Sequence, residues 1–257
     1  TAGDLWHYLS QASGTDVGAV ARSWTDQKGY PLLQARVTCE HGKQTLELEQ
    51  QRFSVDGAVD TTTLWQVPFA VSAGTAAPMR FLLAGRSAQF ATGPCTKAPS
   101  FVDSSAGFFR VQYPPDHLRR LTRAFPELSP SARLALLTDA FALGQAGRIP
   151  LAEYFALLSR LRPAGDPATL VLFLQADYAL SNLDGAMHGA PAQKSLHSYA
   201  RNKLGPMLRQ LGWSVSPSDT AVALSLRNDL IEVLGRFGDE ATLRKSMELF
   251  KAERNGG

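Results

Sequence analysis

The sequence predicts an α+β multidomain chain in which a small antiparallel β-sandwich is followed by an α-helical, solenoid-like domain of stacked helix pairs. Three observations carry that prediction. Between Pro31 and Tyr113 the apolar residues recur at a period of two, in short runs punctuated by Gly and Pro. From "YPPD" (Tyr113–Asp116) onward the period becomes that of amphipathic helices joined by short links. Ahead of both lie two short helical stretches, too short to bury their apolar faces against each other alone.

The leading stretches are "GDLWHYLSQASG", with Asp4 as cap and Leu5, Tyr8 and Leu9 at helical spacing, and "DVGAVARSWTDQKG", with Asp16 as cap and Gly29 as stop. Pro31 then opens "LLQARVTCE", where Leu33, Ala35, Val37 and Cys39 alternate with Gln34, Arg36 and Thr38. "HG" (His41–Gly42) turns the chain into "KQTLELEQQRF", a hairpin with one wet face carrying Glu47 and Glu49. "TTTLWQVPFAV" places Trp65, Val67, Phe69 and Val71 on one face, and Pro68 on the other predicts an edge strand or a bulge. "PMRFLLAG", "AQFATG" and "GFFRVQY" complete the short strands.

In the helical part, Ser129 caps a stretch that runs to Gly144 and Gly147, with Pro130 in its first turn. "PLAEYFALLSRLRP" sets Leu151, Tyr154, Phe155, Leu158 and Leu161 on one face, and Asp166 caps the next helix. "PAQKSLHSYARNKLGPMLRQLGW" should kink at Pro206 and stop at Gly212. Two more helices are split by "GRFGDE", the second capped by Asp239 and ending in charged residues and "NGG". With "PDHLRRLTRAF" the total is about seven helices. Leu243, Met247 and Phe250 form a face that still wants a neighbour, so the C-terminus is expected to be incomplete.

A hydrophobic content of 44% with 19% charged residues is that of a soluble globular chain with a sizeable core. The most apolar stretch, "TLVLFLQADYAL", is interrupted by Gln175 and Asp177 and reads as a buried helix rather than a bilayer span. A chain opening on Thr1 rather than Met is expected to be processed or cut, so a missing signal peptide leaves the compartment open. The net charge of +3 is mild, and Arg119, Arg120 and Arg123, or Arg160 and Arg162, read as solvated helix faces rather than a nucleic-acid stripe. Cys39 and Cys95 allow one disulfide or none.

Chemistry is sparse. His7, His41, His117, His188 and His197 include no pair one helical turn apart, as a zinc hydrolase helix needs. Cys39, His41 and Cys95 form no recognised ligand spacing and read as ordinary packing. No G-x-S-x-G elbow, phosphate loop or dinucleotide turn occurs. Glu47 and Glu49 read as solvated, and Asp239 and Glu240 as helix-opening charges. Asp139, inside an apolar helix, is expected to pair with an Arg from a neighbouring helix rather than with substrate. No catalytic, cofactor-binding or metal residue is assigned.

In this order, "DLWHYLSQASGTDVGAVARSWTDQKGYPLL", "LELEQQRF", "LWQVPFAV", "AGFFRVQYP", "LSPSARLALLTDAFALGQAG" and "LIEVLGRFGDEATLRKSMELF" resemble the C-terminal portion of zinc aminopeptidases of the aminopeptidase N/puromycin-sensitive type. The resemblance implies that residues 1–28 are the closing helices of a truncated catalytic domain, 29–113 the sandwich and 114–257 the start of the helical domain. It implies a parent that removes N-terminal residues from peptides with a zinc-activated water and a glutamate base. The zinc motif H-E-x-x-H, the G-x-M-E-N motif and the catalytic Tyr would lie upstream of Thr1, so none is carried over. The sequence departs from the family pattern at Asp103, where Asn is usual, and at Phe109, where Tyr is. The partners implied are the missing N-terminal and catalytic domains and a peptide substrate. Arg133, Arg148, Arg201 and Arg227 are the helical-domain arginines considered for its C-terminal end. The alternative is a stand-alone helical-solenoid module that binds a protein or peptide.

Overall fold

Thr1 opens the first helix as its N-cap, accepting from the Asp4 amide while the Asp4 carboxylate bonds back to the cap. This capping box moves Asp4 from the predicted cap position to the third helical residue. The helices are α1 (Ala2–Ser13) and α2 (Val17–Thr25), the latter capped as expected by Asp16, whose Oδ1 accepts from Ala19 N at 2.9 Å. This computed structural model describes residues 1–73, 77–104 and 107–254. Part of the "DSSAGFFRV" comparison and the terminal "NGG" therefore lie outside the described residues.

The strands β1 (Pro31–Glu40), β2 (Lys43–Arg52), β3 (Val67–Ala73), β4 (Met79–Leu83), β5 (Ser87–Pro94), β6 (Ser100–Asp103) and β7 (Arg110–Gln112) form two sheets, ordered β5-β2-β1-β7 and β4-β3-β6. His41 and Gly42, both at positive φ, close the β1–β2 hairpin with Glu40 opposite Lys43. That turn suits the strands' right-handed twist. The sandwich is antiparallel apart from one pair: β7 runs parallel to β1, with Leu33 opposite Val111. It enters from β6 in the other sheet, so it reaches the free edge of β1 by a crossover rather than a hairpin. Pro68 does not mark an edge strand. β3 is the centre of its sheet, but β6 pairs it only from Ala70 to Ala73, so at Pro68 the strand has a partner on one side only, as an edge strand does.

The alternating faces meet as predicted. Trp65, Val67, Phe69 and Val71 are buried, and Phe90 of β5 packs against Phe69 and Phe81 across the sheets at 5.0 and 5.1 Å. Full burial of side chains of this size is worth about 1.5–3 kcal/mol each. Gln50, also fully buried, makes three hydrogen bonds, donating to the carbonyls of Trp65 and Gly85 and accepting from Trp65 N. On β6, Tyr113 Oη accepts from Val102 N at 2.8 Å and His117 Nε2 meets the Ser100 carbonyl at 2.7 Å. Side chains thus occupy backbone groups that a sheet edge would otherwise offer to another strand.

Seven helices follow among the described residues: α3 (Pro115–Ala124), α4 (Pro130–Gln145), α5 (Leu151–Arg160), α6 (Pro167–Ala186), α7 (Gln193–Leu211), α8 (Ala221–Arg236) and α9 (Glu240–Arg254). Ser129, Asp166 and Asp239 accept from the amides of Ala132, Thr169 and Thr242, as predicted caps do. Helix α7 continues through Pro206 and is ended by Gly212 at φ 71°. The chain divides into two compact units, Thr1–Leu157 and Leu158–Gly257. The first holds the sandwich with α1 to α4. In the second, α6, α7 and α8 pack on one another around Phe173, Leu204, Leu226 and Leu230.

Candidate functional site

The residues singled out by chemistry resolve into structural roles. Cys39 and Cys95 form a disulfide, their Cα atoms 5.8 Å apart, so the open choice between one bridge and none falls to one. With both thiols consumed, the three-residue ligand set with His41 does not exist. No group of three His, Cys, Asp or Glu able to hold a metal comes together among the described residues.

Asp139 lies on the buried face of α4, and its partner is not on a neighbouring helix. Arg110 of β7 donates from Nη1 at 3.2 Å, Val111 N–H at 3.1 Å and Ser104 Oγ at 3.1 Å. The carboxylate thus clasps the β6–β7 segment to the first long helix. Burial nevertheless pushes its pKa up to about 6, outweighing the lowering by the Arg110 charge and the three donors. His117, packed face-on against Tyr113 with 5.2 Å between ring centres, is shifted the other way, its pKa lowered by burial.

Three of the four arginines considered for substrate contact are engaged within the chain. Arg227 is buried and donates to the carbonyls of Gly212 and Leu211 and to Asp219 Oδ2 at 2.7 Å, fastening the α7–α8 connection. Arg201 Nη1 donates to the Phe237 carbonyl at 2.5 Å. Arg148 Nη2 reaches the Ala58 carbonyl at 3.3 Å. Arg133, on α4, is half-buried. Glu47 and Glu49 are exposed, as expected of a wet strand face.

Two polar groupings in the second unit escaped sequence reading. Asp177, in a recess shared with Asp229, Glu232 and Arg236, has its pKa pushed up to about 6, first by burial and then by Asp229. His197 Nε2 meets Asp184 Oδ1 at 2.5 Å, and its ring stacks on Phe237. Both join residues far apart in the chain, and no local spacing announces them.

The feature that bears most directly on function is the junction at "WTDQKGYPLL". Trp24 Nε1 donates to the Gln66 carbonyl at 2.9 Å, Ser23 Oγ accepts from Gln66 N at 3.0 Å, and Gln27 Nε2 donates to the Leu64 carbonyl at 2.8 Å. These bonds seat α2 on the sandwich. Helix α1 has no such seat: none of its residues is buried, and Leu5, Tyr8 and Leu9 are exposed. Leu5 is exposed, and Trp6, Val20 and Trp24 are half-buried, so none of these four apolar residues is sealed within this chain.

Comparison with known proteins gives these features a family. The family described as ERAP1-like C-terminal domain matches residues 103–257, more than half of the chain. The chain belongs to that family. The ERAP1-like match begins in β6 and takes in the whole helical part. Similarity to curated relatives reaches further upstream. Aminopeptidase M1 of Arabidopsis thaliana is 29% identical over 97% of this chain and 30% of its own length. Aminopeptidase M1-A of Oryza sativa subsp. japonica is 28% identical over 96% of the chain and 29% of its length. Puromycin-sensitive aminopeptidase of Caenorhabditis elegans is 28% identical over 96% and 27%. The ERAP1-like chain thus spans less than a third of the length of these relatives, and what it matches is a C-terminal portion of aminopeptidases.

Proposed function

We propose that the chain is the non-catalytic C-terminal region of a zinc-dependent aminopeptidase, forming the wall of a substrate chamber and interdomain support while another part of the polypeptide carries the chemistry. On this reading residues 1–28 close a catalytic domain, 29–113 form the sandwich and 114–257 begin the helical domain. The reading rests on one observation above all: α1 is capped and amphipathic yet has no buried residue, with Leu5, Tyr8 and Leu9 turned to solvent. A short helix does not hold itself together in water, so this face is built to be covered. The reading is supported by relatives that are aminopeptidases more than three times as long, which leaves room in such a polypeptide for a domain that covers this face.

The test is direct. The 257-residue chain is expected to hydrolyse no aminoacyl-anilide and to bind no stoichiometric zinc, and the amides of α1 are expected to exchange quickly with solvent. In a longer polypeptide that includes the region upstream, α1 should become protected and activity should appear. One zinc per chain together with hydrolysis by the 257 residues alone would overturn the reading.

A further inference from the structure

A groove of about 840 Å³ lies in the first unit beside β6, α3 and the start of α4. Its walls combine two kinds of surface. Leu128, Ala124 and Pro78 supply apolar area, and three cations, Lys97, Arg120 and Arg123, line the same space. Arg120 and Arg123 stand three residues apart on α3, the spacing that puts two side chains on one helix face. Lys97 comes from the loop between β5 and β6.

None of the three cations forms an ion pair among the described residues. Arg120 makes one weak contact, from Nη2 to the Lys97 carbonyl at 3.5 Å. Two carboxylates, Asp103 and Glu127, also line the groove, and the cations outnumber them. By contrast, Asp139 and Asp219 each hold an arginine within hydrogen-bonding distance elsewhere in the molecule. Cations without an ion-pair partner beside apolar surface are an arrangement that accepts an anion from outside. The volume falls within the roughly 300–1,000 Å³ of small-molecule sites, and the guanidinium fork matches the oxygens of a carboxylate or a phosphoryl group.

We propose that this groove binds a small organic oxyanion, a phosphoryl or carboxylate group carried on an apolar body. The oxyanion sits against Arg120, Arg123 and Lys97, and the body lies on Leu128 and Pro78. This site is independent of the aminopeptidase reading, since it needs neither zinc nor any further domain.

Isothermal titration of the 257-residue chain with phenyl phosphate, benzoate and the neutral benzyl alcohol tests it, at low and at raised salt. The anions should bind, more weakly as salt rises, and benzyl alcohol should bind far less well. Tighter binding of phenyl phosphate assigns a phosphoryl ligand, and tighter binding of benzoate a carboxylate. The double variant Arg120→Gln/Arg123→Gln should lose about tenfold or more in affinity, the scale of one charge-assisted hydrogen bond. Arg119→Gln is the control, because Arg119 is exposed on the same helix but does not line the groove. It should keep the affinity. Absence of binding by both anions, benzyl alcohol binding as tightly as they do, or Arg119→Gln costing as much as the double variant would each overturn the site.

Discussion

Exchanging Asp139 for asparagine isolates the balance between burial and pairing in the clasp that joins β7 to α4. Three donors favour the ionised carboxylate, from Arg110, Val111 and Ser104, and desolvation opposes it. The outcome is a pKa of about 6 against an ordinary 3.8. A folded-state pKa above the unfolded one means that the folded chain binds the proton more tightly. The stability this proton confers is complete below about pH 4 and is lost as pH rises through about 6. A difference near two units corresponds to about 3 kcal/mol. Urea unfolding of wild type and Asp139→Asn at pH 4, 5, 6 and 7 measures it, since the other carboxylates titrate in both proteins and cancel. Wild-type stability minus that of the variant should fall by about 3 kcal/mol from pH 4 to pH 7. A flat difference, or one that grows with pH, would refute the reasoning and show that the three donors outweigh burial. Asp139→Ala adds a second reading. It strands the Val111 N–H and the Arg110 guanidinium and should cost about 3 kcal/mol or more at pH 7.

Three further outcomes are expected. Reducing the Cys39–Cys95 bridge, or replacing both by Ser, frees a loop with a sequence separation of 56 and should lower stability by up to about 4 kcal/mol in denaturant unfolding. His117→Gln should flatten stability on the acid side. The lowered pKa of His117 means its stabilising contribution is present above its unfolded pKa and lost as pH falls through the folded one, which thermal melts between neutral and mildly acid pH would register. Leu5→Lys and Leu9→Lys should leave the stability of this chain within about 0.5 kcal/mol, as exposed positions do, whereas Leu33→Ala, fully buried on β1, should cost about 2–5 kcal/mol.

Local signals were legible and distant ones were not. The period-two alternation of β1 and β2, the His41–Gly42 turn, and the caps Asp16, Ser129, Asp166 and Asp239 each depend on residues within a few positions of one another. Asp4 slipped to the third helical position because Thr1 supplies the hydroxyl that a capping box uses. Pro68 misled for a topological reason, since a central strand can still lack a neighbour along part of its length. The partner of Asp139 was sought on a helix and found on β7, 29 residues away. Arg227 stood among the candidates for substrate contact, yet it is buried and three intramolecular bonds hold its Nε and Nη2. An arginine's availability depends on which carbonyls and carboxylates the fold brings near it, and one-dimensional spacing does not encode that. The same reason hid the groove at Arg120 and Arg123, whose charges read as an ordinary wet helix face until β6 and the Lys97 loop are placed beside them.

The two helices before the sandwich show how a joint can be firm on one side and open on the other. Helix α2 is tied to the segment entering β3 by three bonds to main-chain atoms of Leu64 and Gln66, which do not depend on which side chains that segment carries. Helix α1 hangs from α2, held by Ser10 Oγ, which accepts from Val17 N at 3.0 Å while donating to the Trp6 carbonyl at 2.7 Å. A cover laid on Leu5, Tyr8 and Leu9 would therefore act on a helix whose position is already fixed at one end. Its binding would lose less conformational entropy than ordering a free segment. Ser10→Ala should loosen that hinge. Faster hydrogen exchange confined to α1 would support this division of labour, and equal loosening of α2 would contradict it.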